Sequence, residues 1–268
     1  MQNKVVVITG ASSGIGKALA YEFSRHGSKI VMGARNYNAL TEIAKDIKNN
    51  GGDAIIAQTD VSIEADCKNL ILTAIDQYGK VDILINNAGI SMRALFENTD
   101  LEVIKKLMDV NFWGTVFCTK YALPHILKQK GSVVAVSSIA GIKGLPARSG
   151  YSASKFAIDG FMESLRVENL KNELHVLIAY PGFTASNIRN TSLSGFGTQQ
   201  GESPRNEEKM MTAEHVAEYI YNAVSKRKNK IVLTLQGKML TAINKFFPDV
   251  LDKMIYNNLA KEHDSPFH

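Results

Sequence analysis

The chain has 268 residues, of which 45% are hydrophobic and 21% are charged, and this globular composition excludes disordered and collagen-like chains. Its two cysteines, Cys67 and Cys118, belong to no Cys/His cluster, so we predict no disulfide framework, no metal site and a cytoplasmic location. The net charge of +5 is spread along the chain and no run of ~18 apolar residues occurs, so we expect no nucleic-acid partner and no membrane contact.

Short apolar runs alternate with longer segments of helical periodicity. Several of the runs are apolar at consecutive positions, which is typical of strands buried on both faces of a parallel sheet. The predicted strands are Val5–Ile8, Lys29–Met32, Ala54–Ala57, Ile83–Ile85, Val133–Val136, Val176–Ala179 and Ile231–Leu233.

Helices are predicted between these strands. They begin after Gly16, near Asn38, at an N-cap Ser62, at a capping box formed by Thr99 and Glu102, at Tyr151 and at Thr212. The second should end at Asn49, the third at Gly79 and the fifth near Leu170. The alternating order predicts a single-domain, doubly wound α/β fold of about seven parallel strands, with right-handed crossovers and helices on both faces.

Helical spacing of apolar residues in the last part of the chain predicts a helical extension. We expect residues 1–235 to form the main body and residues 236–268 the extension, in which Pro248 separates two helices. The second helix would carry an apolar side made of Val250, Leu251, Met254, Ile255 and Leu259. The substrate-binding side of the protein is the favoured cover for that side, with another subunit or a membrane surface as alternatives.

The first strand leads into a glycine-rich turn and then a helix. The turn reads Thr9-Gly10-Ala11-Ser12-Ser13-Gly14-Ile15-Gly16. A tight turn needs glycines in any case, but a turn between a buried strand and a helix also presents N–H groups to an anion and lets a pyrophosphate approach closely. We therefore predict that Gly10, Ser12, Ser13, Gly14, Ile15 and Gly16 bind a dinucleotide.

The residue after the second strand indicates which dinucleotide is bound. About 20 residues beyond the turn, an acidic residue would bind a ribose 2′-hydroxyl, whereas an arginine suits a 2′-phosphate. The sequence has Arg35 there and no carboxylate, so NADP(H) is favoured over NAD(H). The alternative is an ordinary surface arginine in a loop.

Polar and small residues follow the next two strands. Asp60, before Val61, can accept a hydrogen bond from an adenine amino group, or help to cap the following helix, and both roles are compatible. Asn87, Ala88 and Gly89 form a strand-ending turn whose small side chains leave room for a flat ligand. We assign all five residues to cofactor binding.

A serine, a tyrosine and a lysine follow in the second half. Ser138 ends a strand, and Tyr151 and Lys155 are one helical turn apart and share a face. A lysine ammonium favours the phenolate form of a nearby tyrosine, which could then exchange a proton with a carbonyl or alcohol oxygen. Ser138 can donate a hydrogen bond to the same oxygen.

In this order, five elements resemble the short-chain dehydrogenase/reductase family over residues 3–185. They are the Thr9–Gly16 turn, Asn86-Asn87-Ala88-Gly89, Asn111, Ser138, and Tyr151-x-x-x-Lys155. The resemblance implies a Rossmann-like fold and a catalytic tetrad. Tyr151 would be the acid/base, Lys155 its activator and a ligand of the nicotinamide ribose, Ser138 the substrate-oxygen donor, and Asn111 the holder of a relay water.

The resemblance also implies contacts beyond the tetrad. Pro181, Gly182 and Thr184 would lie beside the nicotinamide. The helices that contain Asn111 and Tyr151 would pair across a two-fold axis, giving a homo-oligomer. Phe112, Val116, Phe156 and Phe161 suit such a contact, although they could equally face their own sheet.

The expected function is an NADP(H)-dependent oxidoreductase that interconverts a carbonyl and a secondary alcohol. A silent NADP(H)-binding sensor or scaffold, and an epimerase or dehydratase, are the alternatives. The small-molecule substrate is expected to be apolar, near Ser91, Phe96, residues 139–142, Phe183 and the polar loop at 190–206.

Overall fold

The computed structural model describes residues 1–182, 184, 188, 191–201, 210–261 and 265–267. Within these residues, seven strands form one parallel sheet in the order β3-β2-β1-β4-β5-β6-β7. They are β1 (Val5–Thr9), β2 (Lys29–Ala34), β3 (Asp53–Gln58), β4 (Ile83–Asn86), β5 (Ser132–Val136), β6 (His175–Tyr180) and β7 (Lys230–Val232). The predicted doubly wound fold and all seven predicted strands are confirmed.

Helices cover both faces of the sheet. They are α1 (Gly14–Arg25), α2 (Tyr37–Asn49), α3 (Glu64–Tyr78), α4 (Leu101–Leu107), α5 (Gly114–Lys128), α6 (Ser149–Glu168), α7 (Ala213–Ser225), α8 (Leu235–Phe246) and α9 (Pro248–Leu259). A π-helical stretch, Met108–Trp113, joins α4 to α5, so that one helical rod runs through both.

The strands explain why consecutive positions are apolar. In β1, Val6 and Ile8 pack in one cluster with Phe23 of α1, whereas Val5 and Val7 pack on the opposite face. Every residue of β1, β4, β5 and β6 is buried. Because both faces lie under helices, alternate side chains enter two different apolar layers, and the polar residues of these strands, Thr9, Asn86, Ser132 and His175, occur at strand ends.

Two predicted helix starts are wrong. Ser62 does not cap α3, which begins at Glu64; the Ser62 hydroxyl instead donates to Asp60 Oδ1 at 2.7 Å. Thr99 and Glu102 form no capping box: α4 begins at Leu101 after Asp100, and the Thr99 hydroxyl donates to the Leu95 carbonyl of the preceding 3₁₀ turn at 2.7 Å. The residues that do precede α3 and α4, Ile63 and Asp100, make no side-chain cap bond.

Other boundaries agree with the sequence. Gly79 ends α3 with a left-handed φ of 73°, and Thr212 caps α7 by accepting from the N–H of His215. Two other helices start earlier than predicted: the first begins at Gly14, inside the glycine turn, and not after Gly16, and α6 begins at Ser149, two residues before Tyr151.

Pro248 separates two helices, as predicted, and occupies the first position of α9. The apolar side predicted for α9 is correct only in part. Leu251 is buried and Ile255 and Leu259 are half-buried, but Val250 and Met254 are exposed. Since a helix turns by about 100° per residue, Leu251, Ile255 and Leu259 form one narrow strip along α9. Val250 and Met254 lie beside this strip and point away from the body of the protein. The boundary between residues 235 and 236 stays a prediction.

Candidate active site

A cleft of about 540 Å³ lies along the carboxyl edge of the sheet. It crosses the point where strand order reverses between β1 and β4, the usual ligand position in open α/β sheets. Most of the predicted site residues line it, and they follow six different strands. These are Gly10, Ser12, Ser13, Gly14, Ile15, Arg35, Asp60, Val61, Asn87, Ala88, Gly89, Ser138, Tyr151, Lys155, Pro181, Gly182 and Thr184. Gly16 and Asn111 are not among the lining residues.

The glycine turn forms one end of the cleft. Gly10 has a φ of +65°, and a β-carbon there would lie 2.8 Å from Ala88 Cα. A β-carbon on Gly16 would lie 2.3 Å from the Gly10 carbonyl oxygen, so Gly16 serves the packing of the turn. Ser13 makes no side-chain cap bond to α1, and the first N–H groups of a helix have no acceptor within it. The turn therefore combines close backbone approach with N–H donors at one place.

Thr9 ties this turn to the end of β4. Its hydroxyl accepts hydrogen bonds from the N–H groups of Asn87 and Ala88, both at 3.0 Å. The Asn87 side-chain amide in turn donates to the carbonyls of Thr9 and Gly10. Sequence reasoning missed this role of Thr9, although its position directly before the first glycine was the available signal.

Arg35 and Asp60 lie at the ends of β2 and β3. Arg35 is exposed, and its carbonyl accepts from the Gln58 side chain at 3.2 Å. Asp60 Oδ1 accepts from the N–H of Ser62 at 3.0 Å, and the N–H of Asp60 donates to Asp66. The carboxylate is thus fixed locally while it also lines the cleft.

Tyr151 and Lys155 lie side by side on α6 at the other end of the cleft. Both are buried, and the Lys155 ammonium lies 5.7 Å from the centroid of the Tyr151 ring. The ammonium donates to the carbonyl of Val136 at 3.1 Å, which fixes it against the end of β5. Ser138 follows that strand, and its hydroxyl accepts from the N–H of Ala140. A phenol, an ammonium and a hydroxyl can together handle one proton and a negatively charged oxygen.

Asn111 lies behind this group, in the π-helical stretch. Its side chain exchanges hydrogen bonds with the backbone of Ile90, at 2.8 and 3.0 Å, and donates to Ser154 Oγ at 2.9 Å. A β-carbon on Gly89 would lie 3.1 Å from Asn111 Oδ1 and 3.5 Å from Lys155 Nζ. Asn111 therefore joins the loop after β4 to α6 close to Lys155, without lining the cleft. Wider helical turns of this kind often occur at functional sites.

Asp159 is a second position that sequence reasoning missed. Its carboxylate accepts from the Ser137 hydroxyl at 2.8 Å and from the Tyr180 hydroxyl at 2.6 Å. Burial raises the pKa of Asp159, and the two hydroxyl donors oppose that shift only in part. Since Ser137 and Tyr180 belong to the ends of β5 and β6, Asp159 fixes both strand ends to α6. Its position one turn after Lys155 was the available signal.

Arg148, also missed, lies one turn before Tyr151 and lines the cleft. Its guanidinium donates to Ser91 Oγ at 2.6 Å and to the Met92 carbonyl at 3.2 Å. Arg148 therefore fixes the loop after β4 against the start of α6.

The residues predicted to lie near a substrate are placed unevenly. Ser91, Thr191, Leu193 and Gln199 line the cleft. Phe96 is 64% exposed, and neither it nor any residue of 139–142 is among the lining residues. Phe183, residue 190 and residues 202–206 lie outside the described residues.

Comparisons with known proteins agree with this geometry. A model of the short chain dehydrogenase family matches residues 4–195. The chain is 44% identical over 187 residues to 11-beta-hydroxysteroid dehydrogenase-like 2 of Arabidopsis thaliana, covering 69% of this chain but only 60% of that protein. It is also 33% identical to dehydrogenase/reductase SDR family member 7B of Rattus norvegicus, covering 99% of this chain and 84% of that protein.

Solved structures show the same fold. A short-chain dehydrogenase/reductase from Burkholderia phymatum in complex with NAD superimposes with a TM-score of 0.83, at 24% identity, over 93% of this chain and 95% of that one. An alcohol dehydrogenase from Thermococcus sibiricus, complexed with 5-hydroxy-NADP, gives 0.76 at 23% identity, over 87% and 96%. The solved structures agree with the fold, and the family match with the sequence relatives shows that the chain belongs to the short-chain dehydrogenase family of oxidoreductases.

Proposed function

We propose that the chain is an NADP(H)-dependent oxidoreductase that interconverts a carbonyl group and a secondary alcohol, with Tyr151 as the general acid and base. The observation that carries the proposal is the cleft itself. A phosphate-suited glycine turn and Arg35 lie at one end, and Tyr151, Lys155 and Ser138 converge at the other.

The residues of the cleft fit a nicotinamide dinucleotide. Gly10 and Gly89 line the cleft, and packing against Ala88, Asn111 and Lys155 leaves little or no room for a β-carbon at either position, so both present only backbone to a flat ligand. The turn would hold the pyrophosphate, Arg35 the 2′-phosphate and Asp60 with Val61 the adenine. Asn87, Ala88, Pro181, Gly182 and Thr184 would border the nicotinamide half. When bound, the nicotinamide supplies or accepts a hydride.

Tyr151 moves the proton in this proposal. In the reducing direction its hydroxyl donates to the carbonyl oxygen, and in the oxidising direction its oxygen takes the alcohol proton. The buried Lys155 ammonium stabilises the negative charge that develops on the phenol oxygen. Ser138 donates a hydrogen bond to the same substrate oxygen. Asn111 and Asp159 hold the loops and strand ends that carry these groups.

The substrate class that fits best is an apolar ketone or its alcohol. Val110, Leu145 and Leu193 line the substrate end of the cleft, and apolar walls with few polar groups are typical of sites for such ligands. The Arabidopsis thaliana relative is named as hydroxysteroid dehydrogenase-like, and this similarity supports assaying steroid-like ketones first.

The decisive experiment is a spectrophotometric screen for NADPH oxidation over aromatic, aliphatic, steroid-like and lipid-derived ketones. We expect turnover with at least one apolar class. NADPH binding in a calorimeter serves as the independent measurement. Tight NADPH binding without turnover on any class would favour the silent sensor, and absence of NADPH binding would contradict the proposal altogether.

A further inference from the structure

The helix α8 presents an apolar stripe to solvent. Leu235, Met239 and Phe246 are 74%, 55% and 67% exposed, and Ala242 is exposed on the same side. Their spacing is that of one helical face. A helix at the surface of a globular protein normally turns such a face inward, so this arrangement calls for a partner.

The same apolar surface continues into α9. Phe247, Val250 and Met254 are exposed there. We call the exposed residues Leu235, Met239, Ala242, Phe246, Phe247, Val250 and Met254 the outer apolar face.

The opposite sides of α8 and α9 attach to the body of the protein directly after Ser138. The Asn244 side chain donates to the Ile142 carbonyl at 3.2 Å, and Lys143 pairs with Asp252 at 2.6 Å. Gly237 lies so close to Ile139 that a β-carbon would be 2.7 Å from its side chain. The outer apolar face is therefore held in a fixed orientation beside the cleft, on the side away from these contacts.

The charges beside the outer apolar face distinguish a lipid surface from a second copy of the chain as its partner. Lys238 and Lys245 are exposed and lie two helical turns apart, along one edge of the stripe. The ammonium of Lys245 is 5.4 Å from the Phe246 ring centroid, and α8 contains no acidic residue. In α9, Asp249 is exposed beside Val250 and Asp252 pairs with Lys143, so the positive edge belongs to α8. Lysines at the edge of an apolar stripe can reach anionic headgroups while the stripe enters the acyl region. A second copy of the chain would offer no acidic residue of its own α8 to pair with these lysines.

We propose that the outer apolar face lies in the surface of an anionic lipid bilayer. Among the residues that the structure describes, no helix is long and apolar enough to cross a bilayer, so α8 would lie in the membrane plane. The sequence alone made a membrane surface only an alternative cover for α9 and gave no expectation for α8; exposure of the stripe on α8 is the observation that favours membrane contact. The proposal goes beyond the proposed chemistry and uses no part of it.

The test is co-sedimentation of the full chain with vesicles of phosphatidylcholine containing about one third phosphatidylglycerol, an anionic fraction large enough to attract the lysines. We expect the wild-type chain to sediment with these vesicles. The double variant Met239→Glu/Phe246→Glu should lose at least about tenfold in binding, since it replaces two large apolar contacts by charges.

The matched control is Val167→Glu/Leu170→Glu at the end of α6. Its two residues are 63% and 65% exposed, so the charge change and the exposure match those of the test variant. It should bind vesicles like the wild type. Lys238→Gln/Lys245→Gln should weaken binding to anionic vesicles and leave binding to pure phosphatidylcholine unchanged.

Three outcomes would each overturn the proposal. The wild-type chain does not sediment with the anionic vesicles, the control variant loses as much vesicle binding as the test variant, or the lysine substitutions leave vesicle binding unchanged. A dimer that Met239→Glu/Phe246→Glu converts to a monomer, without vesicle binding, would assign the face to a second copy instead. NADPH binding is measured separately for each variant and shows that the variant is folded. A failed membrane proposal therefore leaves the proposed chemistry untouched.

Discussion

The phenol oxygen of Tyr151 is the atom on which proton transfer depends in the proposed reaction. Tyr151→Phe removes that oxygen and keeps the ring beside Lys155. We expect turnover to fall by about 10²–10⁴-fold, the usual contribution of a positioned acid or base. Steady-state kinetics measure this, and calorimetry should show NADPH binding almost unchanged. Tyr219→Phe, at an exposed position of α7, is the control, and near-normal turnover in Tyr151→Phe would refute the assigned role.

Arg35 decides the choice of cofactor in the proposal. Arg35→Asp removes a charge-assisted partner of the 2′-phosphate and offers a carboxylate to a 2′-hydroxyl. The NADPH-to-NADH affinity ratio should fall by about tenfold to a hundredfold. Fluorescence titration with both cofactors measures the ratio.

Lys45→Asp is the control for Arg35→Asp, because it makes the same charge change at an exposed position of α2. It should leave the ratio in place. A wild-type chain that prefers NADH would contradict the argument from Arg35.

The sequence predicts that a residue belongs to the site where that residue is part of a local sequence motif. The glycine turn, Arg35 and the Tyr151–Lys155 pair all line the cleft. Thr9, Arg148 and Asp159 were missed because their partners lie far away in sequence. Thr9 bonds to Asn87, and Asp159 bonds to Ser137 and Tyr180, and such pairs exist only once the strands are ordered in the sheet.

At the scale of elements, the start of β4 depends on a buried carboxylate. Asp82 pairs with Lys4 at 2.8 Å and Lys80 at 2.9 Å, and it accepts from the N–H of Val5 at 2.9 Å. Burial alone would raise the pKa of Asp82, but these partners outweigh burial and hold it below its usual value. Asp82 thereby joins β1 to β4 below the cleft.

We expect Asp82→Asn to lower the free energy of unfolding by about 1–3 kcal/mol at neutral pH, because an amide cannot pair with two ammoniums. A depressed folded-state pKa stabilises the protein fully above the unfolded value of about 4 and loses this effect as the pH falls through the folded value. Denaturant unfolding should therefore show the difference between wild type and variant shrinking below about pH 4. Asp76→Asn, at an exposed position of α3, should show no such pH dependence.

Element types were predictable, but some of their ends were not. Buried strands have a strong signal because both faces exclude polar residues. A helix cap depends on a single hydroxyl oxygen that accepts from first-turn N–H groups, and neither Ser62 nor Thr99 sits at the residue that precedes its helix. The exposed Val250 and Met254 likewise show that apolar spacing alone does not reveal which part of an apolar face is covered.

At the scale of the whole molecule, α5, α6 and the π-helical stretch leave a second apolar surface. Phe112 and Phe161 are half-buried and contact each other within the chain at a centroid distance of 6.4 Å. Trp113 and Phe156 remain 45% and 46% exposed, on the helical segments that hold Asn111 and Tyr151. This surface is separate from the outer apolar face of α8 and α9.

We expect the chain to form a homodimer through Trp113 and Phe156, with the outer apolar face left free. Phe156→Glu places a charge without a partner in such an interface and should yield a monomer in light scattering at micromolar concentration, because burying an unpaired charge is strongly unfavourable. Leu170→Glu, at an exposed position beyond the end of α6, should remain dimeric. Met239→Glu/Phe246→Glu should also remain dimeric if its face serves lipid. A monomeric wild-type chain would refute the dimer, and a monomer produced by the α8 variant would move the subunit contact to α8 and α9.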